Sequence, residues 1–125
     1  TKDKINIIPE NEFLLNYSKH KIEEFLDLAS IYSNTETNLE VKAVVEESLK
    51  EYLKEDQFKT VINNFNIPKE TIENIEIWKI KKLKKGKFKG KIKISSTSKV
   101  YIGFFEIQEA ETEFGISRQF SIYIL

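Results

Sequence analysis

The residues of this sequence that could do chemistry by type and spacing are lysines, and they are concentrated in one run. From Lys79 to Lys93, nine of the fifteen residues are lysine. Such a row of ammonium groups could hold the phosphates of a nucleic acid or anionic lipid headgroups. Nucleic-acid binders usually add arginine and exposed aromatics, but this run has no arginine and its neighbour Trp78 is expected to be packed. We therefore interpret the run first as the solvent-facing side of a hairpin, with nucleic-acid binding as the less favoured alternative.

Other reactive groups are sparse. The chain has no cysteine and one histidine, His20, so the usual zinc ligand sets and nucleophile–base pairs are missing. Its four glycines are scattered and form no phosphate-binding loop. One acid, Glu106, is expected to face inward, where Arg118, the only arginine, would hold it ionised. The sequence predicts a non-enzymatic protein with no catalytic residues, no metal and no cofactor.

The N-terminal half of the chain has the apolar spacing of helices, and 125 residues fit one domain. One helix is predicted over about residues 10–32, because apolar residues recur there on one helical face. Thr37 and Glu40 have the spacing of a capping box, which would start a second helix that runs to about Asp56. Residues 58–65 either extend this helix or form a short third one.

The C-terminal half changes to the two-residue period of β-strands. Four strands are predicted at about 72–83, 87–96, 99–109 and 115–125. Short connections between consecutive strands predict an antiparallel meander. The first strand is the least regular, which indicates a bulge or burial of both faces. The predicted fold class is α+β, a single domain over residues 1–125 with its helices packed on the sheet.

The last two strands are predicted to pair so that the numbers of facing residues add up to 224. This register places apolar residues opposite one another and sets Glu106 opposite Arg118. The side chains predicted to face the helices are Phe88, Ile92, Ile94, Val100, Ile102, Phe104, Ile116, Phe120, Ile122 and Ile124.

Two surfaces are then expected on the opposite side of the sheet. The first is a lysine ribbon, predicted to be solvated and structurally passive, formed by Lys87, Lys89, Lys91 and Lys93. The second is an apolar patch on the last two strands, predicted to be a subunit interface unless a helix of the domain or a C-terminal continuation covers it. Its members are Tyr101, Phe105, Ile107, Tyr123 and Leu125.

One stretch of the chain resembles a known family. The sequence FLLNYSKHKIEEFLDLAS, residues 13–30, has a Phe, a Tyr four positions later, a short polar stretch, then Phe-Leu and a small residue. It resembles the first helix of nuclear transport factor 2-like domains, in which an aromatic helix packs into the cone of a strongly curved antiparallel sheet. The order of helices and then a four-stranded meander is similar to the variant in the VirB/TcpC-type assembly subunit of type IV secretion systems.

The resemblance implies a scaffold that works through protein–protein contacts in conjugative DNA transfer. Proteins of this family have a short cytoplasmic tail, one membrane helix and an extracytoplasmic domain of about this size. The chain is thus expected to be the extracytoplasmic fragment of a longer protein, held at the cell membrane by an N-terminal anchor. The expected partners are other secretion-channel subunits and further copies of the chain. The absence of Met and Cys, with 19 lysines to one arginine, suits a Gram-positive conjugative plasmid.

Two other functions stay open. A small-molecule-binding or isomerase-type member of the same superfold needs a hollow cone with an inward acid or tyrosine. The bulky apolar side chains predicted to face the helices argue against such a cavity. A single-stranded nucleic-acid binder would use the lysine-rich hairpin.

Overall fold

The structure is a computed structural model that describes residues 10–53, 57–59, 72–97 and 99–125. Within these ranges two long helices are followed by a four-stranded sheet. Each strand pairs antiparallel with the next, in the order β1-β2-β3-β4. The predicted α+β class and the antiparallel meander are confirmed. The elements are α1 (Glu10–Ser33), α2 (Leu39–Tyr52), β1 (Ile72–Lys84), β2 (Lys87–Ser96), β3 (Val100–Thr112) and β4 (Gly115–Ile124).

The first helix, α1, presents one apolar stripe to the rest of the molecule. Its apolar residues recur every three or four positions, which is the spacing of one face of a helix. Within this stripe, Phe25 contacts Tyr52 of α2, with ring centroids 5.8 Å apart. The two helices are therefore held to each other as well as to the sheet. The buried residues of the stripe are Leu14, Ser18, Ile22, Phe25, Leu26 and Ala29.

The start of α2 is set by Asn38 rather than by the predicted Thr37. The side chain of Asn38 accepts a hydrogen bond from the backbone N–H of Val41 at 2.8 Å, which satisfies one of the free donors of the first turn. The hydroxyl of Thr37 instead donates to the carbonyl of Ile31 at 2.9 Å.

The end of α2 also differs from the prediction. The helix ends at Tyr52, and Leu53 already has extended backbone. Asp56 and most of the helix predicted over 58–65 lie outside the described residues. Phe58 is described and buried.

The sheet is not strongly curled, so the strongly curved cone implied by the resemblance is not seen. Strands β2, β3 and β4 pair without a register shift, whereas three shifts lie between β1 and β2. A bulge, in which one strand has an extra residue, bends that strand locally. Strands β2, β3 and β4 pair without bulges, so this part of the sheet is not bent in that way. Of the two explanations predicted for the irregular first strand, a bulge or burial of both faces, the register shifts support the bulge.

The register of β3 and β4 differs from the predicted one by three residues. Facing residue numbers add up to 227, so that Glu109, and not Glu106, faces Arg118. The prediction was wrong because it ended β3 at residue 109, whereas the strand continues to Thr112 and a two-residue turn joins it to β4. A shift by an odd number exchanges the two faces of a strand.

The exchanged faces put different β3 side chains in the core. Phe105 and Ile107 are completely buried, and Phe105 stacks on Phe120 with ring centroids 5.2 Å apart. Phe105 fits because Gly90 faces it on β2, where any Cβ would overlap the phenyl ring. Among the residues predicted to face the helices, Phe88, Ile92, Ile94, Phe120, Ile122 and Ile124 do so, whereas Val100, Ile102 and Phe104 lie on the other side and Ile116 is exposed.

Candidate nucleic-acid interface

The face of the sheet turned away from the helices, called here the outer face, carries the lysine ribbon. The lysines of the ribbon are half-buried and alternate with buried neighbours along β2. Because successive side chains of a strand point to opposite faces, the predicted outward orientation of the ribbon is confirmed. The alternating buried residues are Phe88, Gly90, Ile92 and Ile94.

One row of paired residues crosses the outer face from β1 to β4, and it is mostly aromatic. Trp78 faces Lys91, Lys91 faces Phe104, and Phe104 faces Tyr123. All four side chains are half-buried, so each presents part of its surface to solvent. Aromatic rings on the open face of a sheet are surfaces on which unpaired bases stack. We call these four residues the aromatic row.

Phe104 lies beneath the ammonium groups of two lysines of the ribbon. The Nζ atom of Lys89 is 4.8 Å from the ring centroid, and that of Lys91 is 5.9 Å from it. Both distances are within the range of cation–π attraction. Glu106 faces Lys89 in the register, but among the described residues no ion pair joins these two side chains. The two ammonium groups are thus held over an aromatic ring rather than by a carboxylate.

A groove of about 200 Å³ lies beside Phe104. Its β1 wall depends on two register shifts, one between Trp78 and Lys81 and one between Lys82 and Lys84. The extra residues at these shifts bring more of β1 to the outer face than strict alternation allows. The groove combines four lysines with one aromatic ring and has no acid in its lining, which consists of Lys79, Lys81, Leu83, Lys89, Gly90, Lys91 and Phe104.

The five residues predicted to form an apolar subunit interface do not share one face of the sheet. Phe105 and Ile107 are completely buried beneath the helices, and Tyr101 packs against the same core. Their placement on the outer face was wrong because the three-residue shift exchanged the faces of β3. Tyr123 is on the outer face in the aromatic row, and Leu125 is 81% exposed at the end of β4.

Arg118 is engaged within the fold at one end of the inner face. Its Nε donates a hydrogen bond to Glu109 Oε2 at 2.6 Å. Its guanidinium lies 4.7 Å from the ring centroid of Phe13 and 5.8 Å from that of Tyr17. The predicted partner, Glu106, lies on the outer face, so the predicted inward acid was wrong. The Arg118 guanidinium is therefore paired and stacked inside the domain.

A surface cleft of about 370 Å³ lies between the two helices and β4. Basic and acidic side chains line it together, among them Lys21 and Glu24. Burial raises the pKa of the Tyr52 phenol at its edge, and the charge of Glu24 raises it further. Beneath the sheet-facing helices the space is filled by rings, with Tyr17 edge-on to Phe120 at 6.1 Å. This cleft is therefore a mixed, open surface feature rather than a hollow under the helices.

The part of the chain that the structure describes has neither a metal-binding cluster nor a membrane-spanning helix. No group of three or more His, Cys, Asp or Glu there could hold a metal ion. No helix there is long and apolar enough to cross a membrane. His20 is exposed on α1, with its Nε2 3.7 Å from the Glu24 carboxylate.

Comparison with protein-family models, with curated proteins and with solved structures gives no match for this chain. The resemblance of residues 13–30 to nuclear transport factor 2-like domains therefore stays a prediction.

The aromatic row was missed by sequence reasoning because Phe104 was assigned to the inner face and Trp78 to the packed interior. One signal could have corrected the first assignment. Gly90 stands at an inward position of β2 among bulky residues, and a residue without a side chain there indicates a large ring from the next strand. Phe105 supplies that ring, which leaves Phe104 for the outer face.

Proposed function

We propose that this chain is a non-enzymatic nucleic-acid-binding domain, and that the outer face of its sheet is the binding surface. The observation that carries the proposal is the position of Phe104, which lies in a row with two other half-buried rings and beneath two lysine ammonium groups. Nucleic acid offers phosphates for ammonium groups and flat bases for rings. Lysine–ring contacts also occur on the helical side, where Lys21 lies over Tyr17 and Tyr52, but acidic side chains line that cleft as well. The groove beside Phe104 offers both kinds of partner with no acid in its lining.

The charge distribution of the chain supports this choice of ligand. Residues 71–125 contain 11 Lys plus Arg and 6 Glu, whereas residues 1–70 contain 9 Lys and 14 Asp plus Glu. The sheet half is thus basic although the whole chain has no net charge. A localised basic face attracts a polyanion to one side of the molecule, which orients the encounter.

The proposal is tested by measuring the affinity of the chain for fluorescein-labelled oligonucleotides at several salt concentrations. The double variant Lys89→Gln/Lys91→Gln should bind more weakly, and the slope of log affinity against log salt should fall by about 1.4 for two lost phosphate contacts. The matched control, Lys19→Gln/Lys59→Gln, removes the same charge from exposed helical positions that lie outside the groove and the lysine ribbon. Equal losses in both variants would show attraction by net charge alone and would overturn the proposed surface.

A second candidate function is the assembly component of a type IV secretion system that the resemblance implies. The supporting observation is that α1, which carries the resemblance, packs its aromatic Tyr17 against Phe120 of the sheet. In this function the chain acts at the extracytoplasmic side of the cell membrane and contacts other channel subunits. Cross-linking in cells that carry a conjugative plasmid, with loss of plasmid transfer on deletion, would support it. Unchanged transfer after deletion would exclude it.

A further inference from the structure

We propose that the groove beside Phe104 is a stacking site for one unpaired base, so that the outer face selects single-stranded over double-stranded nucleic acid. This inference rests on the proposed nucleic-acid function and adds the state of the strand that is bound. It is carried by the combination of one half-exposed ring, lysines on two strands and the small size of the groove.

The ring of Phe104 is accessible from the groove and is supported from below. Its strand neighbours Gly103 and Phe105 are buried, and its cross-strand neighbours Lys91 and Tyr123 hold positions on either side. A ring fixed in this way offers a platform rather than a mobile side chain. Stacking of a base on such a ring strengthens binding by about 5- to 100-fold.

The lysines around the groove all lie on the β1–β2 side of Phe104, where they can contact the phosphates next to a stacked base. Lys79 and Lys81 come from β1, and Lys89 and Lys91 come from β2. A base that stacks on Phe104 displaces the ammonium groups of Lys89 and Lys91 from the ring. Their flexible four-carbon stems then let them reach the neighbouring phosphates.

The size and chemistry of the groove limit what can enter. A volume of about 200 Å³ is below the range of about 300–1,000 Å³ for pockets that enclose drug-sized ligands, so one ring is the fitting occupant. Bases of a duplex are stacked on each other and show only their edges, so a duplex can use the lysines but not the ring. Anionic lipid headgroups also lack a flat ring, so they cannot stack on Phe104.

The test compares Phe104→Leu with the wild-type chain on four probes. These are a 20-nucleotide oligothymidylate, the same strand with abasic sites, a 20-base-pair duplex, and vesicles containing phosphatidylserine. The wild-type chain should bind the oligothymidylate best. Phe104→Leu should lose about 5- to 100-fold on the oligothymidylate and should bind the abasic strand and the duplex as the wild-type chain does.

Two further variants control for folding and for general surface changes. Phe104→Tyr keeps a ring and should keep the preference for the oligothymidylate. Ile102→Leu changes another exposed apolar side chain of β3, on the same face, and should leave all affinities unchanged. Thermal unfolding of each variant shows whether the fold is intact.

The outcomes separate the inference from the function on which it rests. If Phe104→Leu binds the oligothymidylate as tightly as the wild-type chain while Lys89→Gln/Lys91→Gln binds weakly, the stacking site is overturned and nucleic-acid binding stands. If the lysine variant also binds like the wild-type chain, the proposed function fails. Binding to vesicles with none to any oligonucleotide would overturn both.

Discussion

Lys91 lies directly opposite Phe104 on the outer face of the sheet, with its Nζ 5.9 Å from the centroid of the phenyl ring. This pairing places a lysine of β2, the most basic of the described strands, against the Phe104 ring, which the sequence predicts to face the core. The β2–β3 register sets this pairing. The outward direction of Phe104 differs from the prediction because the predicted β3–β4 register was wrong by three residues, and the observed one goes with a buried Phe105. The first predictions therefore test the register itself.

Neighbouring phenylalanines should respond very differently to truncation. Phe105→Ala should lower the free energy of unfolding by about 3–5 kcal/mol, because it empties a completely buried site. Phe104→Ala should cost about 1 kcal/mol or less, because its ring is only half-buried on the outer face. Urea denaturation of both variants measures the difference. The reverse order of the two losses would restore the register that places Phe104 in the core.

The ion pair between Glu109 and Arg118 gives an independent check of the β3–β4 register. Glu109→Gln should destabilise the domain by about 1–2 kcal/mol, because it weakens a charge-assisted hydrogen bond of 2.6 Å that is partly shielded from water. Glu106→Gln makes the same chemical change on the outer face and should alter stability by about 0.5 kcal/mol or less. Chemical denaturation of the two variants in parallel measures both values, and equal losses would argue against the Glu109–Arg118 pair.

Gly90 should tolerate no side chain while Phe105 faces it. Gly90→Ala should destabilise by about 1–3 kcal/mol, because the new Cβ would overlap the Phe105 ring. The double variant Gly90→Ala/Phe105→Leu should lose less than the sum of the two single changes, because leucine vacates the overlapping volume. Gly103→Ala is the contrast, since its Cβ would meet the backbone carbonyl of Tyr123, which side-chain trimming cannot relieve. Additive losses at Gly90 and Phe105 would refute the contact.

Stability should fall at alkaline pH in a way that depends on Tyr52. Burial, with the nearby Glu24 charge, raises the pKa of this phenol above its ordinary value of 10.0. The unfolded chain then loses the phenolic proton first, so stability is fully present below about pH 10 and is lost as pH rises toward the folded pKa. Tyr52→Phe should flatten this fall by up to about 1.4 kcal/mol per pH unit.

The measurement for Tyr52 is the urea midpoint from pH 8 to pH 11. Comparing the variant with the wild-type chain at each pH cancels the titration of groups common to both. Parallel curves over this range would show that the phenol titrates alike in the folded and unfolded chains.

The sequence was sufficient for the class of fold and for the order of helices and strands, because period and turn chemistry are local. The apolar stripe of α1 and the alternation of β2 each identify a buried face without knowledge of a partner. The pattern of β3 could not show which of its two faces is buried, since apolar residues occur at both even and odd positions from Val100 to Ile107. Only the pairing partners decide, and they depend on where the turn lies.

The candidate site was harder to predict than the fold because it depends on three strands at once. The outward direction of Lys89 follows from β2 alone, but the ring beneath it depends on the β2–β3 register. Lys79 and Lys81 reach the groove through register shifts in β1. Such shifts leave only irregular alternation in the sequence, which indicates that a bulge exists without showing where its side chains point.

The contact between Gly90 and Phe105 also has a consequence for the cost of binding. The β2 backbone at the centre of the lysine ribbon rests on a buried ring on one side and borders Phe104 on the other. A platform that is already ordered in the free protein loses little conformational entropy when a ligand arrives. On binding, most of the loss of conformational entropy then occurs in the flexible ligand and in the lysine side chains. Loosening this packing would weaken binding without removing a single contact to the ligand.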